Sequence, residues 1–232
     1  MGPAFKRILL KLSGEVLAGE QKTGIDFNMV ETVCQRIKKC VELGVQVGIV
    51  IGGGNFWRGR SSGNMDRNTA DSMGMLATAI NALALEDAFI RFGIDAHAMT
   101  AVEMTRFAEP FVRDKAIEYL KKGSVVIFGC GLGIPFLSTD TAAAVRAAEI
   151  GADIVLMAKN VDAIYSADPN KDPNAVRYSR LTYGEALAKN LKATDTTAMA
   201  LAMDNNMPMV CFGLEEENSI VRVVRGEKIG TT

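Results

Sequence analysis

Short apolar runs of strand length alternate with helical patterns along nearly the whole chain, and this alternation limits the possible folds more than any other feature. Six runs have the length and apolar character of buried strands. They are RILLKL at 7–12, VQVGIVI at 45–51, DAHAMT at 95–100, SVVIFG at 124–129, DIVLMA at 153–158 and MVCFG at 209–213. Strands that alternate with helices predict an open, mostly parallel sheet covered by helices on both faces.

The first helical pattern lies between the first two of these runs. Its apolar residues recur at the spacing of one helix face, and they are Val30, Val33, Cys34, Ile37 and Val41. Asn28 together with Glu31 can cap the start of this helix, and Gly44 can end it.

Three more helices are predicted further along the chain. One covers residues 71–93, where Gly93 is the expected stop. Its apolar residues share one face, and such a face normally packs on the core; they are Met73, Leu76, Ile80 and Leu83. The next, DTAAAVRAAEIGA, can take Ser138 or Thr139 as its N-cap. The last, TYGEALAKN, opens with a capping box, whose members are Thr182 and Glu185.

The size and charge of the chain limit the number of domains and the kind of partner. A length of 232 residues with 48% hydrophobic residues permits a sizeable core, and we expect one domain over residues 1–232. The 26 basic and 27 acidic residues nearly cancel, and no run of Lys or Arg is longer than two. Because nucleic-acid binders present a basic surface, we expect no nucleic-acid partner. Any anionic ligand must be held by a local site.

Cysteine usage and hydropathy indicate the compartment. The four cysteines lie in apolar runs without C-x-x-C spacing, which favours buried thiols in a reducing environment; they are Cys34, Cys40, Cys130 and Cys211. The N-terminal apolar stretch is interrupted by Lys11 and Glu15 and is too short to span a bilayer. We therefore expect a soluble cytoplasmic protein with no membrane partner.

Three glycine-containing segments follow predicted strands. They are LSGE at 12–15, IGGGNFWRG at 51–59 and GCGLGIPFLSTD at 129–140. Ligands of open parallel sheets bind beyond the carboxyl ends of the strands. Glycine lets backbone N–H groups approach an anion closely, and a following helix N-terminus adds partial positive charge. The three segments together predict a site for several phosphates at one edge of the sheet.

The better-known phosphate motifs are absent from these segments. No segment fits the Walker A pattern G-x-x-x-x-G-K-[ST]. A dinucleotide fingerprint that starts at Gly52 would need glycine at position 57, which is Trp57. One that starts at Gly129 would need glycine at position 134, which is Ile134. Two long connections, residues 100–115 and 160–182, break the alternation of elements, and loops of such length inside a domain are often functional.

Each candidate residue also has a simpler interpretation. A glycine after a strand is often only a tight turn. Lys11 can extend its stem along apolar surface, and Arg58 can lie over a neighbouring aromatic ring. Asp71 and Asp140 can be helix caps, and His97, inside an apolar strand, is expected to be structural. The conjunction of three loops at successive strand ends favours the functional interpretation.

Several motifs together resemble one family, the bacterial uridylate (UMP) kinases of the amino acid kinase superfamily. They are KRILLKLSGE at 6–15, IGGGNFWRG at 51–59, DSMGMLATAINALAL at 71–85, IPFLSTDTAAAVRAAEIGAD at 134–153, VDAIYSADP at 161–169 and LTYGEAL at 181–187. The combination spans nearly the whole chain in order and is far more specific than one glycine loop. The resemblance implies a three-layer α/β/α sandwich, Mg²⁺-dependent transfer of the ATP γ-phosphoryl group to UMP in pyrimidine biosynthesis, and a homohexamer.

The resemblance also implies roles for particular residues. The residues expected at ATP are Lys11, Leu12, Ser13, Gly14, Gly54, Arg58, Lys159, Asn160, Tyr165 and Asp168. Those expected at UMP are Gly53, Asp71, Leu132, Gly133, Ile134, Pro135, Phe136, Leu137, Ser138 and Thr139. The residues expected to act in catalysis are Lys11, Arg58, Asp140 and Asp195, the two aspartates by organising the cations and the metal. The metal ligands themselves are left open.

The chemistry agrees with these roles, and two alternatives stay open. A phosphate monoester is largely ionised at neutral pH because its second pKa is about 6, so no general base is required. Positioning and charge stabilisation then supply nearly all the catalysis. The family's usual Thr and Asn in the third loop are Leu132 and Ile134 here. One alternative is therefore a phosphotransferase of the same fold with another acceptor, and the other is a non-catalytic nucleotide or oxyanion binder.

Overall fold

The computed structural model describes residues 2–58, 63–191 and 194–232. Its strands are β1 (Arg7–Leu12), β2 (Gln46–Ile51), β3 (Ala96–Thr100), β4 (Glu109–Pro110), β5 (Val125–Gly129), β6 (Ile154–Lys159), β7 (Ile164–Tyr165), β8 (Arg177–Tyr178) and β9 (Met209–Gly213). Seven of them form one sheet in the order β4-β3-β5-β2-β1-β6-β9, and every neighbouring pair in it is parallel. The other two, β7 and β8, form a separate antiparallel hairpin.

Helices cover both faces of the sheet. They are α1 (Glu15–Ala18), α2 (Phe27–Glu42), α3 (Arg67–Arg91), α4 (Arg113–Lys122), α5 (Thr139–Ile150), α6 (Tyr183–Ala188), α7 (Thr196–Asp204) and α8 (Ser219–Val224). One core joins the sheet to α2, α3 and α8, and a second joins its other face to α4, α5 and α7. The predicted α/β fold with helices on both faces of a mostly parallel sheet is confirmed.

Strand alternation decides which face each residue of β1 serves. Ile8, Leu10 and Leu12 belong to the first core, whereas Leu9 belongs to the second. Because side chains of a strand point alternately to opposite faces, Lys11 lies on the same face as Leu9. That face is the one covered by α5 and α7, so the sequence register of β1 already directs Lys11 toward the start of α5.

The six predicted strands are confirmed, two of them at the exact bounds and four within one residue. The helix ends are confirmed at four places. Ser138 is the N-cap of α5, and Thr182 and Glu185 form the capping box of α6. Gly44 follows α2, where its N–H bonds to the Val41 carbonyl at 2.8 Å, and Gly93, with a φ of 74°, follows the C-cap Phe92 of α3. The additional short strands β4, β7 and β8 all lie in the two long connections.

The predicted start of α2 is wrong by a short distance. The N-cap is Asp26, whose Oδ1 accepts from the N–H groups of Asn28 at 2.9 Å and Met29 at 3.4 Å. The helix begins at Phe27, so Asn28 and Glu31 already lie inside it. Asp26 accepts from N–H groups of the first turn, which have no partner inside the helix, and it lies before the apolar pattern begins. The pattern alone therefore placed the cap too late.

The predicted face of α3 is also wrong. The helix begins at Arg67 with Asp66 as N-cap, and it turns Met73, Leu76 and Ile80 to solvent, with Leu76 55% exposed. The face on the core carries mostly small or polar residues: Ala70, Ala77, Thr78, Asn81, Ala82, Leu85, Ala88 and Phe89. Small residues allow the helix to lie close to the sheet. By length and composition α3 could also cross a membrane, although 44% of its most apolar 18-residue stretch is buried inside the protein.

Candidate active site

Three loops meet at one edge of the sheet. The first loop (residues 13–14) follows β1, the second (residues 52–58) follows β2, and the third (residues 130–138) follows β5. These strands are neighbours in the order β5-β2-β1, and all run in parallel. Their carboxyl ends therefore lie side by side, as the sequence predicted. We call this line of loops the loop edge.

The first and second loops are in direct backbone contact. The N–H of Gly52 donates to the carbonyl of Leu12 at 2.9 Å. A Cβ placed on Gly14 would lie 2.4 Å from the carbonyl oxygen of Gly52 and 2.5 Å from Oδ1 of Asn55. Since no side chain fits there, glycine at position 14 is required by this close approach. A helix N-terminus was expected after this loop, but the helix there, α1, has only four residues.

The third loop has an unusual backbone and leads directly into α5. Cys130 and Phe136 adopt positive φ values of 61° and 70°, which non-glycine residues rarely do. The N–H of Cys130 donates to Oγ1 of Thr78 on α3 at 2.7 Å. Such backbone strain is typical of functional sites and persists only when surrounding contacts hold it. Here the contact from α3 holds the start of the loop.

A cluster of opposite charges lies where β1, α5 and β6 meet. Nζ of Lys11 lies 2.6 Å from Oδ1 of Asp140, and Nζ of Lys159 lies 3.3 Å from its Oδ2. The hydroxyl of Thr194 donates to the same Oδ2 at 2.8 Å. We call Lys11, Asp140 and Lys159 the charge cluster. Two ammonium groups against one carboxylate leave it with an excess of positive charge.

The protonation of Asp140 follows from its surroundings. Burial by itself would raise the pKa of this carboxyl, but the charges of Lys11 and Lys159 outweigh burial and lower the pKa to about 2. Asp140 therefore stays ionised at neutral pH and holds both ammonium groups in place. Lys11 is only 9% exposed in a central strand, so a surface or edge position, the simpler interpretation, does not describe it.

Asp195 lies next to this cluster but has a different set of partners. It is the N-cap of α7, where its Oδ1 accepts from the N–H of Ala198 at 2.9 Å. Its carboxylate also accepts from the hydroxyls of Ser138 and Thr141 at the start of α5. Asp195 therefore joins the first turns of α5 and α7, and so fixes the helix that carries Asp140.

A cavity of about 130 Å³, which we call the loop cavity, opens between α3 and the third loop. Of the residues expected at UMP, those that line it are Gly53, Asp71, Leu132, Ile134, Leu137, Ser138 and Thr139. Asp71 accepts from the N–H of Phe136 at 2.8 Å and pairs with Nε of Arg67 at 2.7 Å. It therefore ties the third loop to α3.

A larger cavity of about 640 Å³, the hairpin cavity, lies beside β7. Of the residues expected at ATP, Lys159, Tyr165 and Asp168 line it, together with Ile164 and Pro169. The hydroxyl of Tyr165 donates to Asp162 at 2.7 Å. Since Lys159 lines this cavity and Thr139 lines the loop cavity one residue before Asp140, the charge cluster lies between the two.

The remaining expected residues lie around these features. Arg58 forms an ion pair with Glu15, which directly follows the first loop. A Cβ on Gly54 would lie 3.2 Å from the same Glu15 carboxylate. Leu12 ends β1 and Ser13 begins the first loop. Gly133, Pro135 and Phe136 belong to the third loop, and Asn160 directly follows β6. Gly59, part of the second motif, lies outside the described residues.

The cap interpretations of Asp71 and Asp140 also fail, whereas the structural interpretation of His97 stands. Asp71 and Asp140 are not helix caps, because the N-caps of α3 and α5 are Asp66 and Ser138. His97 stacks on Tyr119 with ring centroids 3.6 Å apart, and its strand β3 is separated from β1, which carries Lys11, by β5 and β2. Its contacts are structural, as expected.

Sequence reasoning missed the residues that support the loops. Asn55 and Asn81 are buried and exchange a reciprocal pair of amide hydrogen bonds of 2.9 and 2.7 Å. Nδ2 of Asn81 also donates to the carbonyl of Gly52 at 2.7 Å, and Nδ2 of Asn55 to that of Gly24 at 2.8 Å. A buried Asn inside an apolar helix pattern was the available signal, since buried amides must find partners.

The side chains of the site indicate how a metal ion could be held. Among residues 2–58, 63–191 and 194–232, no group of three or more His, Cys, Asp or Glu side chains could hold one. Mg²⁺ prefers oxygen ligands and is commonly bound by one or two carboxylates together with substrate phosphates. Asp140 and Asp195 offer carboxylate oxygens at the loop edge, so the residues present fit a magnesium ion that arrives on a phosphate.

Comparison with known proteins agrees with this geometry. The model of the Amino acid kinase family matches residues 6–213. The UMP kinase of Bacillus anthracis superimposes with a TM-score of 0.94 at 36% identity, over 98% of this chain and 95% of that one. The UMP kinase of Ureaplasma parvum gives 0.92 at 38%, over 98% of each chain. The uridylate kinase of Archaeoglobus fulgidus gives 0.73 at 28%, over 97% and 98%. The chain belongs to the amino acid kinase family.

Proposed function

We propose that the protein transfers the γ-phosphoryl group of ATP to UMP, giving ADP and UDP, with Mg²⁺. The observation that carries this proposal is the position of the charge cluster between two cavities at the loop edge. Two polyanionic substrates that must exchange a phosphoryl group need such an arrangement, because positive charge has to lie where they meet. The UMP kinase names of the similar structures support the choice of substrates.

ATP occupies the hairpin cavity in this proposal. Its base and ribose lie near Tyr165, Asp168 and Asn160, and its phosphates extend toward Lys159 and the first loop. There the backbone N–H groups of Ser13 and Gly14 and the Lys11 ammonium face the phosphates. Gly54 and Arg58 border the same phosphates from the second loop.

UMP occupies the loop cavity. Asp71 accepts a hydrogen bond from the ribose, and Gly53 lets the second loop approach closely. The residues of the third loop and of the start of α5 that surround the nucleotide are Leu132, Gly133, Ile134, Pro135, Phe136, Leu137, Ser138 and Thr139. The UMP phosphate then points to the charge cluster.

The transfer itself needs no protein base. The attacking oxygen belongs to the UMP phosphate, which is already ionised because its second pKa is about 6. Lys11 and Lys159 reduce the repulsion between the two nucleotides and stabilise the charge of the transferring group. Asp140 stays ionised and orients both ammonium groups, while Asp195 holds the helix that carries Asp140.

Mg²⁺ would be held by Asp140 and Asp195 together with the phosphates of ATP. When bound, it neutralises phosphate charge and holds the polyphosphate in one conformation. The protein side contributes the two carboxylates and the rigid start of α5.

The test is turnover with a panel of acceptors. We expect MgATP with UMP to release ADP and form UDP, and CMP, dUMP and amino acids to be poorer acceptors. Release of ADP with an amino acid but not with UMP would show a related phosphotransferase with another acceptor. ATP binding without turnover of any acceptor would show a non-catalytic binder. Leu132 and Ile134 line the loop cavity, so the ratio of UMP to CMP turnover measures base selectivity directly.

We further propose that residues 1–232 act as one domain in a homo-oligomer, a hexamer by the resemblance. The support is the apolar face of α3, on which Met73, Leu76 and Ile80 are exposed. An apolar face of this kind on a helix is typical of contact with another chain. Light scattering after size-exclusion chromatography should give a smaller particle for Leu76→Glu than for the unchanged protein.

We also place the enzyme in the cytoplasm. The four cysteines, all free and buried in the part of the chain that the structure describes, suit a reducing compartment. Fractionation of cells that express the tagged protein tests this placement.

A further inference from the structure

A short segment near residue 231 connects the edge of the main sheet to the β7–β8 hairpin. The N–H of Thr231 donates to the carbonyl of Cys211 in β9 at 2.8 Å, and the N–H of Cys211 donates back to the carbonyl of Thr231 at 2.9 Å. The two residues thus form an antiparallel bridge beside the edge strand. The backbone of Thr231 is held by the sheet.

The side chain of Thr231 holds the hairpin. Its Oγ1 accepts from the N–H of Ile164 in β7 at 2.8 Å and donates to the carbonyl of Tyr178 in β8 at 2.5 Å. Thr231 is only 2% exposed, so water cannot readily replace these bonds. One hydroxyl therefore joins both strands of the hairpin to β9.

The hairpin itself is short. Its ladder contains only two residue pairs, Ile164 with Tyr178 and Tyr165 with Arg177, and isolated two-stranded hairpins are marginal in water. The ion pair between Arg177 and Asp162 is roughly 40% exposed on both sides, and exposed pairs stabilise little. The backbone of Thr232 adds two bonds next to β8, to the carbonyl of Ser179 at 3.2 Å and from the N–H of Leu181 at 2.9 Å. The buried Thr231 hydroxyl is the side-chain contact through which this segment reaches β7.

The local backbone also favours this anchor. Gly230 adopts a φ of 67°, and a Cβ placed on it would lie 2.1 Å from the carbonyl oxygen of Cys211. Only glycine can bring Thr231 this close to β9. The backbone conformation of Gly230 is therefore needed for the contact with β9 that positions the Thr231 hydroxyl.

We propose that Thr231 is a positioning residue for the ATP site. Ile164 and Tyr165, next to each other in β7, both line the hairpin cavity, so the hydroxyl that fixes β7 sets the distance between this wall and the sheet. The proposal rests on the assignment of the hairpin cavity to ATP. Thr231 does not line the loop cavity in the described structure, so UMP binding is independent of it.

The test compares Thr231→Val, which keeps the shape and removes the hydroxyl, with Thr231→Ser, which keeps the hydroxyl. We expect Thr231→Val to raise the KM for ATP about three- to tenfold, since two partly buried backbone groups, of Ile164 and Tyr178, lose their partner. The KM for UMP should change less than about twofold, and Thr231→Ser should restore ATP binding to within about twofold of the unchanged protein. The matched control is Ser124→Ala, which removes another buried hydroxyl at the start of β5 and should leave both KM values unchanged.

Hydrogen exchange gives a second readout. In the unchanged protein the amide of Ile164 should be protected, and Thr231→Val should release this protection without affecting the amides of β1. If Thr231→Val does not fold, Thr231→Ala is compared with Thr231→Ser in the same way. Equal increases in both KM values, unchanged KM values, or a Thr231→Ser variant as impaired as Thr231→Val would overturn the proposal.

A further variant separates this proposal from the ATP assignment. If Tyr165→Ala raises the KM for ATP and Thr231→Val does not, Thr231 has no positioning role. If neither variant changes the KM for ATP, the assignment of the hairpin cavity to ATP is wrong, and the positioning role falls with it.

Discussion

The loop edge and the β7–β8 hairpin are held in place by different means. At the loop edge, the backbone segments touch one another, and the buried amides of Asn55 and Asn81 fix the second loop to α3. The hairpin is joined to the sheet side by the Thr231 hydroxyl, by backbone bonds of Thr232 and by apolar contacts of Ile164 and Tyr178, and its ion pair is exposed. The difference teaches that the part that would position the transferring phosphoryl group is fixed by a buried polar network, whereas the part that would bind the rest of ATP is a short two-pair ladder joined to the sheet through the segment at 231–232.

The largest effect is expected at the charge cluster. Lys11→Met should lower kcat by about 10²- to 10³-fold, the usual loss when a preorganised group that stabilises transition-state charge is removed. Steady-state kinetics with MgATP and UMP measures it. Lys38→Met on α2, whose Nζ bonds to the carbonyl of Phe92, is the control and should keep full activity. If Lys11→Met keeps full activity, the charge cluster does not stabilise the transferring phosphoryl group.

The amide pair under the second loop should contribute most to stability. Asn81→Leu leaves the Asn55 amide and the Gly52 carbonyl without their partner, and we expect a loss of about 2–4 kcal/mol in the free energy of unfolding. Urea unfolding measures it. Asn205→Ala, which removes an exposed amide bond at the end of α7, should cost less than about 0.5 kcal/mol. A similar small cost for Asn81→Leu would show that the loop edge is no more firmly built than the hairpin.

The pH dependence of stability should reveal Asp140. Its folded pKa of about 2 lies below the ordinary value of 3.8. The ionised form is therefore favoured by folding, and this stabilisation is complete above about pH 5 and is lost as the pH falls through 4 toward 2. The shift corresponds to about 2 kcal/mol.

The measurement is urea unfolding of the unchanged protein and of Asp140→Asn at pH 6 and pH 3. The unchanged protein should lose more stability between these two values than the variant does. Equal losses would mean that Lys11 and Lys159 do not hold this carboxylate ionised, and that the charge cluster is looser than its distances indicate.

The smallest effect is expected at the exposed side of the hairpin. Arg177→Gln removes the ion pair with Asp162, and the free energy of unfolding should change by less than about 1 kcal/mol because the pair is exposed. The KM for ATP should rise no more than about twofold. A larger rise in the KM for ATP than that of Thr231→Val would mean that the exposed ion pair, and not the buried hydroxyl, holds the hairpin.

Local sequence was sufficient for the elements and for the candidate loops. Apolar runs located six of the seven strands of the main sheet, and the capping residues Ser138, Thr182 and Glu185 were predicted correctly. The meeting of the three loops at one edge of the sheet followed from the parallel direction of the predicted strands. The sequence was insufficient for α3, because Leu76 and Ile80 have the side chains of a core face, whereas the actual core face uses small residues that bring the helix close to the sheet.

The sequence by itself determined the α/β fold, the loops that end the central strands and the position of Lys11 on β1. These depend on hydrophobic periodicity and glycine, which act between residues near in the chain. Only the tertiary structure decided that Asp140 pairs with both Lys11 and Lys159, that Asn81 supports Gly52, and that Thr231 joins β9 to the hairpin. Hydrogen bonds and ion pairs between distant residues depend on distances of a few ångströms, which no local pattern encodes.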